Sequence, residues 1–434
     1  MEETASVGVK PQKRYWILSA GMLMQFCAGI IYLWSVFKVP VAVHLNWDAG
    51  YASLTSSIML VMFVLGIISG GLVQDKLGPR KTTLAGSIFI SAGIICTAFI
   101  SATTPWLVYL TYGIIAGFGV GTVYTTTIAT IQKWFPDKRG FASGMIICAF
   151  GLSLVAFAPL ANYLLAKFGV PSTFLFFGIG FFVICTICSC FIKNPGTGYM
   201  PAKAAVKAAA KAAVKATAKA AVKAADVGIK DQYSPKEILK TKQYYLLAAG
   251  ILFTLPAYFI LNPVFISLGT VRSLSNELAV LGVALTGISS AAGRLIVAWS
   301  SDKIGRKTAM AVAAIIILIS SLIMISANGI LFLICIMLIA FGFGGTISVY
   351  SVMTTECFGT KNSGMNFGLV MIGFGISALV FPLISKKLNA GGSFTSSLIL
   401  AALSCIIAIV LVMLMKNPAI KNIKSEERNG TVLE

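Results

Sequence analysis

The sequence predicts an all-α integral membrane protein of twelve transmembrane helices in two six-helix bundles, and three observations carry that prediction. Of 434 residues, 57% are hydrophobic and 11% are charged, a balance outside the usual range of soluble domains. The apolar residues gather into stretches of ~20, the length that crosses the hydrocarbon of a bilayer. These stretches fall into two similar sets of six on either side of one polar segment.

The spans lie at about 15–38, 51–73, 82–101, 106–130, 142–166, 172–192, 243–269, 277–299, 308–327, 329–352, 364–385 and 392–415. Span one follows the basic segment Lys10 to Arg14 and is too long for a cleavable signal core, so it reads as a retained helix. Spans four and ten carry matching glycine runs, Gly117-Phe-Gly119-Val-Gly121-Thr-Val-Tyr124 and Gly342-Phe-Gly344-Gly345-Thr-Ile-Ser-Val-Tyr350, suited to close packing and gating motion. In span seven, Pro256 and Pro263 mark kinks beside Tyr258 and Asn262, which read as structural polar groups. Residues 1–192 then form one bundle, 193–242 a linker, 243–416 the second bundle and 417–434 a tail.

The linker holds a Lys/Ala repeat with lysines at 203, 207, 211, 215, 219 and 223. Like charges four apart stack on one helix face and repel, so the segment reads as a solvated connector. Contact with anionic headgroups is the alternative.

A net charge of +20 would suggest nucleic acid in a soluble protein, but here it reports topology. Lys167, Arg272, Lys386 and Lys387 fall on one face, Lys38 and Arg294 inside spans, and the other 28 of the 34 cations on the face holding both termini. Both termini are therefore expected in the cytoplasm, the protein in the cell membrane, and no nucleic-acid partner is expected. The nine cysteines, including Cys185-x-x-Cys188 beside Cys190, lie in apolar stretches and read as unpaired small hydrophobes. His44 reads as a solvated residue of an outer loop. No paired carboxylates, metal-ligand spacing or phosphate-binding glycine loop occurs, so no enzyme, metal or cofactor is expected.

Arg294 stands alone in the apolar stretch Leu278 to Ser300. A fixed cation at membrane depth costs at least ~2.5–3.5 kcal/mol on insertion scales and normally faces a polar cavity and an anion. Every acidic residue lies in a loop, a tail or the end of a span, so the counter-ion is expected to be a bound small carboxylate. Guanidinium stays charged and presents a rigid fork that bonds both carboxylate oxygens. Gly287, Ser289, Ser290, Ala291, Ala292 and Gly293 around it are small and leave room for substrate. The alternative is a guanidinium capped by helix carbonyls or neighbouring hydroxyls.

The two halves repeat one another: Asp75-Lys-Leu-Gly78-Pro-Arg80-Lys81 follows span two and Asp302-Lys-Ile-Gly305-Arg306-Lys307 follows span eight. Parallel six-span repeats are a layout of secondary transporters with a midplane site. With these loops the chain resembles the major facilitator superfamily. A closer likeness rests on Ile-Tyr32-Leu-Trp34, on Trp134-Phe-Pro-Asp137-Lys138-Arg139-Gly140-x-Ala-Ser-Gly, and on Gly293-Arg294 leading into Ser301-Asp302-Lys303-Ile-Gly305-Arg306. In these it is similar to the oxalate/formate antiporter family and its monocarboxylate transporter relatives. The resemblance implies that Arg294 binds substrate carboxylate and that Tyr32, Tyr124 and Phe343 line the cavity.

Two departures narrow the expectation. Where oxalate exchangers of that family carry a lysine in span eleven, this chain has Phe374, and where proton-coupled monocarboxylate carriers have an aspartate one turn before the arginine, it has Ser290. One cation matches a monoanion such as formate, lactate or pyruvate, moved by anion exchange or proton symport. Lys38 is the one candidate for a second cation, which would restore an oxalate:formate antiporter. Asp75, Arg80, Asp137, Arg139, Asp302 and Arg306 are expected to form cross-loop charge pairs that break as the carrier switches.

Overall fold

The computed structural model describes residues 12–196, 199, 232–389 and 394–415. The Lys/Ala repeat at 203–223 and the tail at 417–434 lie outside them. Every regular element described is helical. Among the described residues, ten helices are long and apolar enough to cross a membrane, and two features reconcile that number with twelve spans. Arg139–Phe191 runs for 53 residues, about 80 Å of helix and more than twice the hydrocarbon thickness. It is broken at Gly169, whose φ of 74° and ψ of −179° only glycine adopts readily, so it makes two crossings, spans five and six. Pro79–Thr97 is span three and lies outside the ten; it begins with Arg80 and Lys81 and buries Thr82, Thr83, Gly86, Ser87, Ser91 and Gly93 against its neighbours. Hydroxyls of Thr83 and Ser87 donate back to carbonyls one turn earlier, which hides their polarity inside the bundle.

Several spans are irregular. Span one consists of Gln12–Ala28, a 3₁₀ stretch Gly29–Leu33, and Trp34–His44. Span two is Ala49–Leu77. Span four opens with a π-helical stretch, Tyr109–Ala116, before Gly117–Trp134. Span seven breaks at both prolines into Lys242–Thr254, Pro256–Leu261, a 3₁₀ turn Asn262–Val264 and Phe265–Val271, since proline cannot donate to the helix ladder. Spans eight, nine and ten are Asn276–Ile304, Arg306–Ile323 and Gly329–Phe358. Span eleven divides into Ser363–Val370 and Ile372–Leu388, and span twelve is Thr395–Leu414.

The sequence repeat is also a conformational repeat. Gly78 (φ 85°, ψ 163°) ends span two and Gly305 (φ 90°, ψ 153°) ends span eight. Both loops use glycine where an L side chain would be strained, and in nearly the same backbone conformation. The end of the linker is less solvated than its sequence suggests. Ser234 and Glu237 form a capping box, Ile238 is fully buried, and Asn362 and Asn366 amides donate to the Tyr233 carbonyl.

The halves meet along spans two and eleven and along spans five and eight. On the basic face both seams are tight. A methyl on Gly71 would collide with the backbone of Gly364, one on Gly140 with the Ala298 carbonyl, and one on Gly144 would stand 2.7 Å from the Arg294 carbonyl oxygen. Toward the opposite face, Gly287 has only Val155 nearby at 4.0 Å. An apolar crevice of about 270 Å³ separates Ser57, Ile58, Val61 and Met62 of span two from Leu379 of span eleven. The molecule is closed at its basic face.

Candidate functional site

Arg294 lies inside span eight with 2% of its surface exposed. Its stem passes over Gly344 of span ten, where a methyl would meet Cγ at 3.0 Å, and its head lies against Gly151 of span five, where a methyl would stand 2.7 Å from Nη1. Nη1 donates to the Ile147 carbonyl at 3.0 Å and Nη2 to the Tyr32 hydroxyl at 3.1 Å. Nε is buried without a partner. The Tyr32 and Phe150 rings stand 5.9 and 5.8 Å from the guanidinium carbon, in cation–π range.

The protein thus supplies a carbonyl and a hydroxyl, the neutral caps foreseen as the alternative, and leaves the charge itself uncompensated. The three ion pairs among the described residues, Arg14–Asp137, Arg306–Asp302 and Arg306–Glu356, do not include Arg294. Glu356 is engaged by Arg306 at 2.7 Å. Burying an unpaired cation costs several kcal/mol.

Around the guanidinium the aromatic side chains form a continuous packed surface. Phe150 meets Tyr32 at 5.3 Å and Tyr124 at 5.0 Å; Phe63 joins Tyr124 to Phe374; Phe259 joins Phe374 to Phe343; and Tyr258 stacks on Phe343 at 3.8 Å. Spans one, two, four, five, seven, ten and eleven each contribute at least one ring. Tyr32, which bonds Arg294, thus belongs to one packed aromatic surface with Tyr124, Phe343 and Phe374. Ser290, one turn before Arg294, is 3% exposed and its hydroxyl is buried without a partner. Lys38 is half-buried in Trp34–His44 and lies six residues beyond Tyr32, about 9 Å further along the helix. It is not part of this cluster. Asn262 is exposed, and His44 ends its helix on the surface.

The loop residues are arranged differently from the expected cross-loop pairs. Asp302, near the end of span eight, pairs at 2.7 Å with Arg306, the first residue of span nine in the same half. Its crossing to the other half is made to backbone, Oδ1 accepting from Gly140 N–H at 3.0 Å and Oδ2 from Phe141 N–H at 2.9 Å. Asp75 does the same in mirror fashion, accepting from Met365 N–H at 3.4 Å at the start of span eleven. Each repeat's aspartate thereby caps the first turn of a helix in the opposite bundle, where free N–H groups and the helix dipole favour a carboxylate. Asp137 pairs with Arg14 at 3.1 Å. Arg80 is exposed and joins no ion pair among the described residues; Arg139 is mostly covered, with Nε lacking a partner.

Ile147, Phe150, Gly151, Phe63 and Phe259 escaped the sequence reading. Gly140, Gly144 and Gly151 recur at helical spacing along span five, and that stripe was the available signal for the face span five turns toward span eight. A buried cross-half link also escaped it. Gln132 of span four donates to Ser143 at 3.0 Å and to Ser351 of span ten at 3.3 Å, and accepts from the Thr355 hydroxyl.

Comparison with known proteins agrees with this architecture. The chain is 27% identical over 380 residues to the uncharacterized MFS-type transporter YhjX of Escherichia coli, covering 85% of this chain and 87% of that one. It is 24% identical to the oxalate:formate antiporter of Oxalobacter formigenes, covering 94% and 92%, and 24% identical to human monocarboxylate transporter 12, covering 91% and 79%. Among solved structures, the proton:xylose symporter XylE superposes with a TM-score of 0.75 at 15% identity, covering 94% and 97%. The family model described as Major Facilitator Superfamily matches residues 17–330 and 247–433, and with twelve crossings in two repeated halves the chain belongs to that superfamily.

Proposed function

We propose that this protein is a secondary carrier of small monocarboxylates, of the formate, lactate or pyruvate type, with Arg294 as the carboxylate-binding residue. The observation that carries the proposal is a fully buried guanidinium that the protein bonds only through the Ile147 carbonyl and the Tyr32 hydroxyl. A substrate carboxylate entering from the face opposite the basic one supplies the missing negative charge. It takes the free Nε together with Nη2, forming the two-point contact that guanidinium favours. The loaded pair is neutral and crosses the closed intermediate more cheaply than the empty cation. Exchange of one anion for another is the natural cycle, and proton symport follows if the proton travels with the substrate. Residues 1–192 and 243–416 act as the two rocking bundles, and the excess of lysine and arginine on one face supports cytoplasmic termini in the cell membrane.

Relatives that include an oxalate:formate antiporter and a monocarboxylate transporter support a carboxylate. Phe374, packed against Phe63 and Phe259, supports a single-charge substrate because this part of the aromatic surface carries a hydrocarbon ring and no second cation. Purified protein in liposomes preloaded with formate, lactate, pyruvate or oxalate tests the proposal through uptake of the labelled acids. Saturable exchange of a monocarboxylate, lowered at least tenfold by Arg294→Lys, is the expected result, since lysine keeps the charge but loses the fork. Full transport by that variant, or no exchange of any of the four acids by the native protein, overturns it.

A further inference from the structure

We infer that Tyr112 is a positioning residue: it fixes the Tyr32 hydroxyl against Arg294 by tying together two irregular helix stretches, and so sets the affinity of the site. This rests on the carrier reading above. Tyr32 lies inside the 3₁₀ stretch Gly29–Leu33. A 3₁₀ turn advances ~2.0 Å per residue with three residues per turn, against ~1.5 Å and 3.6 in an α-helix, so the direction of a side chain within it depends on where the stretch begins and ends. Span four leaves α geometry too, through the π-helical Tyr109–Ala116, a form that is rare and concentrates at functional sites.

The two irregularities meet at one hydrogen bond. Tyr112, fully buried in the π-helical stretch, donates its hydroxyl to the carbonyl of Ile30 at 2.8 Å. Ile30 is two residues before Tyr32. The Tyr112 ring also packs against Trp34, 4.8 Å away, just beyond the 3₁₀ stretch. The π-helical stretch is itself anchored to span three by the hydroxyls of Thr97 and Thr111, 2.9 Å apart. From the other side span five closes on Gly29, where a methyl would collide with the Ser153 hydroxyl and the Phe150 carbonyl. The stretch carrying Tyr32 is thus clamped between spans four and five, and span five also presents Ile147 and Gly151 to the guanidinium. Neither clamp needs to touch the substrate to decide where the Tyr32 hydroxyl stands.

Tyr112→Phe removes only the hydroxyl. In proteoliposomes exchanging radiolabelled lactate, pyruvate or formate, the variant is expected to raise the KM of the transported acid about tenfold while the maximal rate and reconstituted amount stay within a factor of two. A double-mutant cycle with Tyr32→Phe identifies the route of the effect: acting through Tyr32, Tyr112→Phe adds little to KM once the Tyr32 hydroxyl is gone. An unchanged KM, a fall in maximal rate and protein amount alone, or full additivity of the two substitutions overturns the inference while native transport, and with it the carrier reading, stands. Absence of exchange by the native protein overturns both.

Discussion

Gln132 reaches from the first bundle to Ser351 in the second, its amide donating at 3.3 Å through a seam in which both residues are at most 1% exposed. Thr355 donates back to the same amide, and Ser143 of span five takes its other proton. This side-chain link must break whenever spans four and five leave span ten. Gln132→Leu keeps the volume and deletes the link, at a cost to the closed state of about 1–2 kcal/mol, or roughly tenfold in the closed-to-open ratio. Ser363→Cys, at a buried serine whose hydroxyl has no partner, reports opening without disturbing a bond. Labelling of that cysteine by a membrane-impermeant maleimide from the basic face is expected to accelerate about tenfold in Gln132→Leu; an unchanged rate means the amide does not latch the seam.

The guanidinium is seated as much by what is absent from span five as by what is present. A methyl added at Gly151 would lie 2.7 Å from Nη1 and 3.1 Å from Cζ of Arg294. The obstacle is the end of a flexible side chain, so Gly151→Ala is expected to fold and to push the head of Arg294 aside, weakening carboxylate binding by about 1–3 kcal/mol. Gly344→Ala differs, because its methyl collides with the Ser290 carbonyl and the two helices themselves must separate. Transport kinetics with protein yield separate the two: a raised KM at normal yield for Gly151→Ala, reduced yield for Gly344→Ala.

The legible features were those written in local sequence. Span length follows from apolar run length, and the duplicated Asp75…Gly78 and Asp302…Gly305 loops announced turns that the structure builds with matching positive φ. Arg294 was legible because one cation among apolar neighbours violates the solvent's terms. Long-range placement was not. Nothing near Asp302 in the sequence says that its carboxylate meets Gly140 N–H, since a backbone donor has no residue signature. Tyr32, Tyr124, Phe343 and Phe374 entered through family likeness, and Phe63, Phe150 and Phe259 did not, because a phenylalanine in a span looks the same whether it faces lipid or a site.

Asp302 carries two duties that one substitution separates. Its oxygens cap Gly140 and Phe141 across the seam, and its charge pairs with Arg306. An asparagine side chain in its place keeps one acceptor for a backbone N–H and loses the charge that the helix dipole and Arg306 both favour, so Asp302→Asn is expected to weaken basic-face closure by about 1 kcal/mol. Asp302→Ala removes both acceptors and is expected to weaken it further. Maleimide labelling of Ser363→Cys that quickens from the native background to Asp302→Asn and again to Asp302→Ala confirms the graded cap; equal rates in all three refute it.

On the proposed carrier reading, Phe374 is the position whose substitution is expected to change the substrate charge the site accepts. It is 6% exposed and packs on Phe63 at 6.2 Å and Phe259 at 5.2 Å, on the aromatic surface that also carries Tyr124 and Phe343. Phe374→Lys sets an ammonium among these rings, whose faces attract a cation, and gives the site a second positive charge for a second carboxylate. Like charges facing one another are costly when empty and are relieved only by a divalent anion, so the variant discriminates against monoanions as well as favouring dianions. The ratio of oxalate to lactate exchange is expected to rise at least tenfold, about 1.4 kcal/mol of changed preference. Phe374→Met, which alters packing without charge, is the control and is expected to leave the ratio near its native value. If the lysine variant reconstitutes normally and the ratio does not move, the single cation at Arg294 is not what restricts the site to monocarboxylates.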